Sequence, residues 1–186
     1  MDFQIRPLNK HEFIAAAPTL VDIYLTAMRY DTSLRDTRIT AWRQHTQLPG
    51  FAAVAALRDG VVAGVAYGHA GVPMHWWHTQ IQRGLHTRHQ YTDCNRRILC
   101  NYFELSEIHV LPEFQGNKLG ENMLRTLVKN VRQPVILLST PEVDNEANGA
   151  FGLYRKLGFQ DLLRHHFFAG DSRPFAILKA QLPLPQ

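Results

Sequence analysis

The chain has 186 residues, and the 45% that are apolar suffice for a single domain with an ordinary hydrophobic core. The formal net charge is +4, and residues 71–102 carry +3 of it, since that segment holds four arginines against one aspartate. A nucleic-acid-binding domain usually has a longer basic stripe with interleaved aromatic residues, so this composition does not favour nucleic acid as a partner. No run of 18 apolar residues occurs, and a membrane span is therefore not expected.

The N-terminus and the cysteines favour a cytoplasmic protein. Residues 1–6 lack the basic-then-apolar order of a secretory signal. The two cysteines, Cys94 and Cys100, do not make a disulfide framework. We therefore expect a reducing, cytoplasmic environment.

The first part of the chain combines strand and helix patterns. A short strand is expected over residues 3–7, and apolar residues at helical spacing predict helices over 18–30 and 37–45. Two β-rich runs, 51–57 and 61–67, are separated by Arg-Asp-Gly. Because Asp-Gly between two such runs is a strong turn signal, we expect a hairpin there.

The second part begins with an irregular insert over residues 71–102, in which a helix is allowed after Pro73. The patterns beyond it predict a strand at 103–111, an amphipathic helix at 117–131, a strand at 134–138, a helix at 148–157 ended by Gly158, and strands at 161–168 and 175–182. Helices thus interrupt a run of mostly neighbouring strands. This order predicts one α/β domain over residues 1–186, with a mixed, mostly antiparallel sheet of about seven strands and helices on both faces.

The turn Gln115–Gly120 has the composition of an anion site. Its glycines let the backbone approach a ligand, and the start of the following helix exposes unpaired N–H groups where the helix dipole favours negative charge. Lys118 would add a positive charge. Taken alone, the segment is equally compatible with an ordinary capped loop. It matches neither a Walker A loop nor the dinucleotide glycine pattern.

The second informative segment, Ala150–Phe159, reads as a helix that carries Tyr154 and ends at Gly158. Alone, Tyr154 would be interpreted as a core aromatic residue. Together with the Gln-x-x-x-x-Gly turn after Val110-Leu-Pro112, however, the Leu-Tyr-Arg-Lys-Leu-Gly-Phe segment resembles the GNAT superfamily of N-acyltransferases. The predicted element order also matches that fold, so the resemblance spans most of the chain.

Two positions depart from the family pattern. The pattern at the turn is Arg/Gln-x-x-Gly-x-Gly/Ala, and this chain has Lys118 where glycine is usual. Lys118 must therefore accept the local backbone conformation or shift the loop. An asparagine often found seven residues before the tyrosine is replaced by Ala147, and Asn148 lies one residue later, a helical rotation of about 100°.

The resemblance implies an acetyl-CoA-dependent N-acetyltransferase with acetyl-CoA as cosubstrate and no metal. Backbone N–H groups near His109 and Val110 would polarise the thioester carbonyl, and Tyr154 would protonate the departing thiolate. The residues implied to bind the cosubstrate are His109, Val110, Gln115, Gly116, Asn117, Lys118, Leu119, Gly120, Glu121, Asn148 and Phe151. The pantetheine arm would lie beside the strand at 103–111 like an additional strand.

The attacking amine must lose a proton, directly or through water. Glu104 and Glu107 are the candidate bases on the strand, and Glu104 lies where some family members carry a catalytic glutamate. Their odd separation puts them on opposite faces unless a bulge intervenes. His109 is a further option because imidazole titrates near neutral pH.

The insert leaves other interpretations open. His75 and His78, and likewise His86 and His89, have helical metal-ligand spacing, but no Cys-x-x-Cys accompanies them. We expect the insert to wall the acceptor side, where basic residues would favour an amine that also carries a negative group. The acceptor would be a small-molecule or peptide amine, and a homodimer is compatible with the resemblance. The alternatives are a non-catalytic acyl-CoA-binding module and a metal- or nucleic-acid-binding interaction protein.

Overall fold

The computed structural model describes residues 3–185. Its strands are β1 (Gln4–Leu8), β2 (Ala52–Arg58), β3 (Val61–Ala70), β4 (Phe103–Val110), β5 (Val135–Pro141), β6 (Gln160–His166) and β7 (Phe175–Gln181). Its helices are α1 (Lys10–Met28), α2 (Arg35–His45), α3 (Trp76–Thr87), α4 (Asp93–Cys100), α5 (Leu119–Val128) and α6 (Gly149–Lys156). The seven strands form a mixed sheet in the order β1-β2-β3-β4-β5-β7-β6, which confirms the predicted fold class.

The prediction for the first helix was wrong at its start, because α1 begins at Lys10 rather than Pro18. Asn9 caps it: its side chain accepts from the Glu12 amide at 2.9 Å, and the Glu12 carboxylate accepts from the Asn9 amide at 2.8 Å. This capping box satisfies two amides that a helix start otherwise leaves unpaired. Pro18 lies inside the helix and cannot donate to the carbonyl of Ile14, which accepts from Arg43 Nε at 3.2 Å instead.

Contacts divide the chain into two compact units, and the first comprises residues up to 69 together with 105–131. In this unit β1 pairs with β2 and β2 with β3, both antiparallel. The predicted hairpin is confirmed, with Asp59 and Gly60 both at positive φ. Val65 belongs to the core cluster formed with α1 and α2, whereas a Cβ on Gly64 would point at Met123 of α5. Because adjacent strand residues face opposite sides, helices cover both faces of the sheet here.

Gly64 allows β3 to approach β4 closely. A Cβ at this position would lie 2.8 Å from the His109 carbonyl oxygen and 3.0 Å from the Met123 Cε. The same pair of strands is joined beyond β4 by a hydrogen bond from the Leu111 amide to the Ala63 carbonyl, at 2.9 Å. The end of β4 is therefore held against β3 by a contact that only glycine permits.

The second unit comprises residues 70–104 and those from 132 onward. Here β4 pairs in parallel with β5 through Phe103 and Glu104, and β7 pairs antiparallel with both β5 and β6. The insert is helical as predicted, and Trp77 anchors it by donating from Nε1 to Ser139 at 3.2 Å. Trp76 remains 54% exposed and stacks on Phe168. No helix within residues 3–185 combines the length and apolarity needed to cross a bilayer.

The close approach at Gly64 makes a direct prediction about stability. Gly64→Ala should lower the free energy of unfolding by about 1–3 kcal/mol, because the backbone carbonyl of His109 cannot move aside as a flexible side chain would. Urea titration measures this change. Gly152→Ala in α6 is the matched control: nothing lies within 4 Å of its added Cβ, and it should stabilise by up to about 1 kcal/mol. Equal effects of the two substitutions would contradict the packing argument.

Candidate active site

Glu104 is a buried carboxyl group in the part of β4 that pairs with β5. The residue is 7% exposed, and burial raises the pKa of its side chain to about 8. Its neighbour Tyr102 is 1% exposed, and burial together with the charge of Glu104 raises the pKa of the phenol. The Tyr102 hydroxyl also lies 3.2 Å from Nδ1 of His78. At neutral pH the fold therefore favours the protonated form of Glu104.

Glu107 and His109 form a second polar group, farther along β4. His109 Nε2 lies 2.7 Å from a carboxylate oxygen of Glu107, as their two-residue separation on one strand face permits. The His109 side chain is 10% exposed and the Glu107 side chain is 21% exposed. The ring of Tyr24, on α1, contacts the imidazole edge-on at 5.0 Å between ring centres. The two candidate glutamates thus occupy different environments: Glu104 is buried, and Glu107 is paired with an imidazole.

The turn between β4 and α5 exposes a series of backbone amides. Gly116 has φ +81°, and no atom lies within 4 Å of the Cβ it lacks. The N-cap of α5 is Lys118, whose side chain makes no capping bond. Within the described chain, no acceptor meets the amides of residues 116–120. A helix start with this many unoccupied donors suits an anion with several oxygens, such as a pyrophosphate.

Lys118 occupies the position where a glycine was expected, and it accepts the backbone conformation that favours glycine. Its φ and ψ are 57° and 16°, in the left-handed region. The side chains of Gln115 and Asn117 hold the turn. Gln115 donates to the carbonyl of Val110 at 3.1 Å, and Asn117 donates to the carbonyl of Phe114 at 3.0 Å. The turn is therefore tied to the end of β4.

The second motif forms α6, as predicted. Asn148 is its N-cap, with its side-chain oxygen accepting from the amide of Phe151 at 2.9 Å. Phe151 is fully buried, and Tyr154 is 6% exposed with its ring 5.5 Å from that of Phe159. Gly158 ends the helix at φ +80°. Asn148 therefore has a structural role in the helix, and its contact with a cosubstrate stays a prediction.

An ion-pair network beside α6 was missed by the sequence analysis, because no local spacing signals it. Arg155 pairs with Glu146 at 2.5 Å and with Asp161 at 2.6 Å. Arg164 pairs with Glu146 at 2.7 Å and with Glu142 at 2.5 Å. The hydrogen bond from Arg155 is the main reason that the pKa of Glu146 is lowered to about 2. The network links β6 to the loop before Asn148 and so fixes where α6 begins.

The histidines and cysteines of the insert have separate environments. His78 contacts Tyr102, His86 stacks on Tyr91 with ring centres 3.9 Å apart, and Cys94 and Cys100 are exposed. Across residues 3–185, no group of three or more histidine, cysteine, aspartate or glutamate side chains is arranged to hold a metal ion.

The model of the Acetyltransferase (GNAT) family matches residues 17–159. A GCN5-like protein acetyltransferase from Mycobacterium tuberculosis is 39% identical, over 87% of this chain and 89% of the relative.

Solved structures show the same fold. One is a putative acetyltransferase from Salmonella typhimurium with acetyl-CoA, with a TM-score of 0.63 and 18% identity over 100% of this chain and 97% of that one. Another is the PaiA N-acetyltransferase from Thermoplasma acidophilum in complex with coenzyme A, with a TM-score of 0.58 and 15% identity over 97% of this chain and 99% of that one.

The left-handed backbone of Lys118 predicts the effect of restoring glycine. A residue with a Cβ in this left-handed region destabilises the folded state by roughly 1–2 kcal/mol, which glycine would remove. Part of the stability gained in this way is lost again, because glycine raises the conformational entropy of the unfolded chain. Lys118→Gly should therefore raise the free energy of unfolding by about 0.5–1 kcal/mol, measured by urea titration. Lys118→Ala keeps a Cβ and removes the same charge, so it should give no such gain. A gain of equal size in both variants would assign the effect to charge rather than conformation.

Proposed function

Because the chain belongs to the GNAT family of acetyltransferases, we propose that it transfers the acetyl group of acetyl-CoA to a primary amine by direct attack in a ternary complex. The observation that carries this proposal is the turn after β4, where the amides of residues 116–120 have no acceptor in the described chain. These amides suit the pyrophosphate of the cosubstrate. Lys118, which is exposed, adds a positive charge beside them.

In this proposal, strand β4 binds the acyl end of acetyl-CoA. The pantetheine arm pairs along β4 beyond Glu104, and the amides near His109 and Val110 donate to the thioester carbonyl oxygen. Negative charge develops on that oxygen as the amine attacks, so donors fixed in the backbone stabilise the transition state more than the ground state. The hydrogen bond from Gln115 to the carbonyl of Val110 keeps this segment and the turn in one fixed arrangement.

The reaction also requires proton transfers, before and after the attack on the thioester. An alkylamine is mostly protonated at neutral pH, and Glu104 takes its proton directly or through water; a base whose pKa is about 8 is well matched to this task. The neutral amine attacks the carbonyl carbon, the C–N bond forms, and the C–S bond breaks. The acylated nitrogen then loses its remaining extra proton through water, and this proton restores the Tyr154 phenol after that group has acted as the acid, while the proton on Glu104 is released to solvent. Tyr154 gives a proton to the departing thiolate, so the products are the acetylated amine and coenzyme A.

The Glu107–His109 pair is the alternative candidate for the base, and its geometry and accessibility support that role. Its imidazole lies 2.7 Å from the carboxylate and is partly accessible, whereas Glu104 is buried. The mycobacterial relative is a GCN5-like protein acetyltransferase, which supports an amine on a peptide or protein as the acceptor. We therefore propose that the amine of a lysine in a peptide or protein is the first acceptor to test, alongside small amines.

The pKa of Glu104 predicts the pH dependence of activity. With release of coenzyme A thiol as the measurement, kcat/KM should rise with pH through about 8 as Glu104 loses its proton. Glu104→Gln should lower kcat by about 10²- to 10⁴-fold and abolish that rise. Glu107→Gln is the matched variant and should retain the rise. If Glu107→Gln loses the activity and Glu104→Gln keeps it, the base is the Glu107–His109 pair.

Stability should follow the same ionisation. The fold raises the pKa of Glu104, so the stability contributed by its neutral form is present below the unfolded-state pKa and is lost as the pH rises through about 8. Urea titrations at about pH 6.5 and about pH 9.5 should show wild type losing more stability than Glu104→Gln between those values. Equal losses would show that Glu104 does not titrate in this range.

The proposed acid makes a separate prediction. Tyr154→Phe should lower kcat by about 10²-fold while leaving the KM for acetyl-CoA nearly unchanged, since only the hydroxyl is lost. Tyr91→Phe is the control: Tyr91 lies in the insert, and its hydroxyl accepts from Gln82 at 3.0 Å. Unchanged turnover in Tyr154→Phe would remove the proton-donor role and leave the acetyl-transfer proposal intact.

A further inference from the structure

Arg38, on α2, packs over an aromatic surface and has no acidic partner in the described chain. Its guanidinium carbon lies 5.5 Å from the centre of the Tyr24 ring, and the residue is half-buried. In the described chain no carboxylate lies within ion-pair distance of it. Arg35, one turn earlier on the same helix, is by contrast paired with Asp22 at 2.6 Å. A charge with this much burial and no counter-ion is available to a ligand.

The aromatic surface beneath Arg38 is rigid. Tyr24 is 3% exposed, and its ring also contacts Tyr30 at 5.4 Å and Trp42 at 5.7 Å. Side chains packed this tightly hold one rotamer, so the Tyr24 ring gives the guanidinium a fixed surface to pack against. A guanidinium packed over a ring keeps N–H groups that can donate two parallel hydrogen bonds to a carboxylate.

The position of Arg38 relates it to the proposed chemistry. The Tyr24 ring centre is 5.0 Å from the centre of the His109 imidazole. The guanidinium carbon lies 5.5 Å from the same Tyr24 ring centre. Its distance from the imidazole centre therefore cannot exceed the sum of these two separations. If the amides near His109 bind the thioester oxygen, the attacking nitrogen must come within about 3–3.5 Å of the adjacent carbonyl carbon. A second group on the same acceptor molecule, apart from the attacking nitrogen, is then close enough to contact Arg38.

We propose that Arg38 forms an acceptor subsite for a carboxylate, so that the preferred substrate carries a carboxylate a few bonds from its reacting amine. This inference rests on the proposed acetyl transfer and narrows its substrate class. The carboxylate can belong to a free amino acid or to an acidic residue beside a lysine in a peptide. Both sources offer the same two oxygen atoms to the guanidinium, and a substrate panel separates them.

The test is a matched-pair assay with thiol release as the readout. One arm compares ω-amino acids of increasing length with alkylamines of the same length. The other arm compares lysine peptides flanked by aspartate with the same peptides flanked by asparagine. Wild type should prefer the carboxylate member of a pair by about tenfold or more in kcat/KM. Arg38→Gln should reduce this ratio to about one, and Arg38→Glu should invert it, without changing the KM for acetyl-CoA.

Arg132→Gln is the control, because it removes the same charge from an exposed arginine between α5 and β5, outside the insert. It should keep the wild-type ratio, and a similar loss there would attribute the preference to overall charge. A wild-type ratio near one in both arms, or an unchanged ratio in Arg38→Gln, would overturn the subsite while acetyl transfer stands. Absence of thiol release with every amine would overturn the proposed function. In that case, thermal stabilisation of the acetyl-CoA-loaded protein by glutarate, lost in Arg38→Gln, would support the subsite, and no stabilisation would overturn it.

Discussion

The contact between β3 and β4 is the constraint on which the first unit depends. Gly64 lets the two backbones approach until a Cβ would lie 2.8 Å from the His109 carbonyl, and the Leu111 amide bonds to Ala63 just beyond. These contacts determine where β4 ends. Since Gln115 then bonds back to Val110, they also determine where the turn begins and which way its amides point. A site that binds anions through the backbone requires this kind of fixed main-chain path.

β4 itself presents two different electrostatic environments. Near its start, burial raises the pKa of Glu104 to about 8. Farther on, His109 Nε2 lies 2.7 Å from the Glu107 carboxylate at a partly exposed position. In the proposed reaction, one short strand therefore supplies the base, the backbone donors for the thioester and the approach to the anion-binding turn. The side chains on α1 and α2 add what the strand lacks, a positive charge in a fixed place above Tyr24.

The sequence predicted the order of elements, the hairpin at Asp59–Gly60, the helical insert and the two motifs, because each has a local signal. The start of α1 was missed because Pro18 suggests a helix beginning, whereas Arg43 supplies the donor that the carbonyl of Ile14 would otherwise lack. The ion pairs of Arg155 and the stacking of Arg38 could not be predicted either. They join residues on different secondary-structure elements, and only the folded backbone brings such residues together.

The central claim is that acetyl-CoA binds along the end of β4 and on the amides of the following turn. Hydrogen–deuterium exchange with and without acetyl-CoA tests this most directly, since it reports on the backbone donors themselves. The account predicts that the cosubstrate slows exchange at residues 108–121, and that pantetheine, which lacks the pyrophosphate, protects β4 but not residues 116–120. Unchanged exchange across this segment at saturating acetyl-CoA would contradict the account.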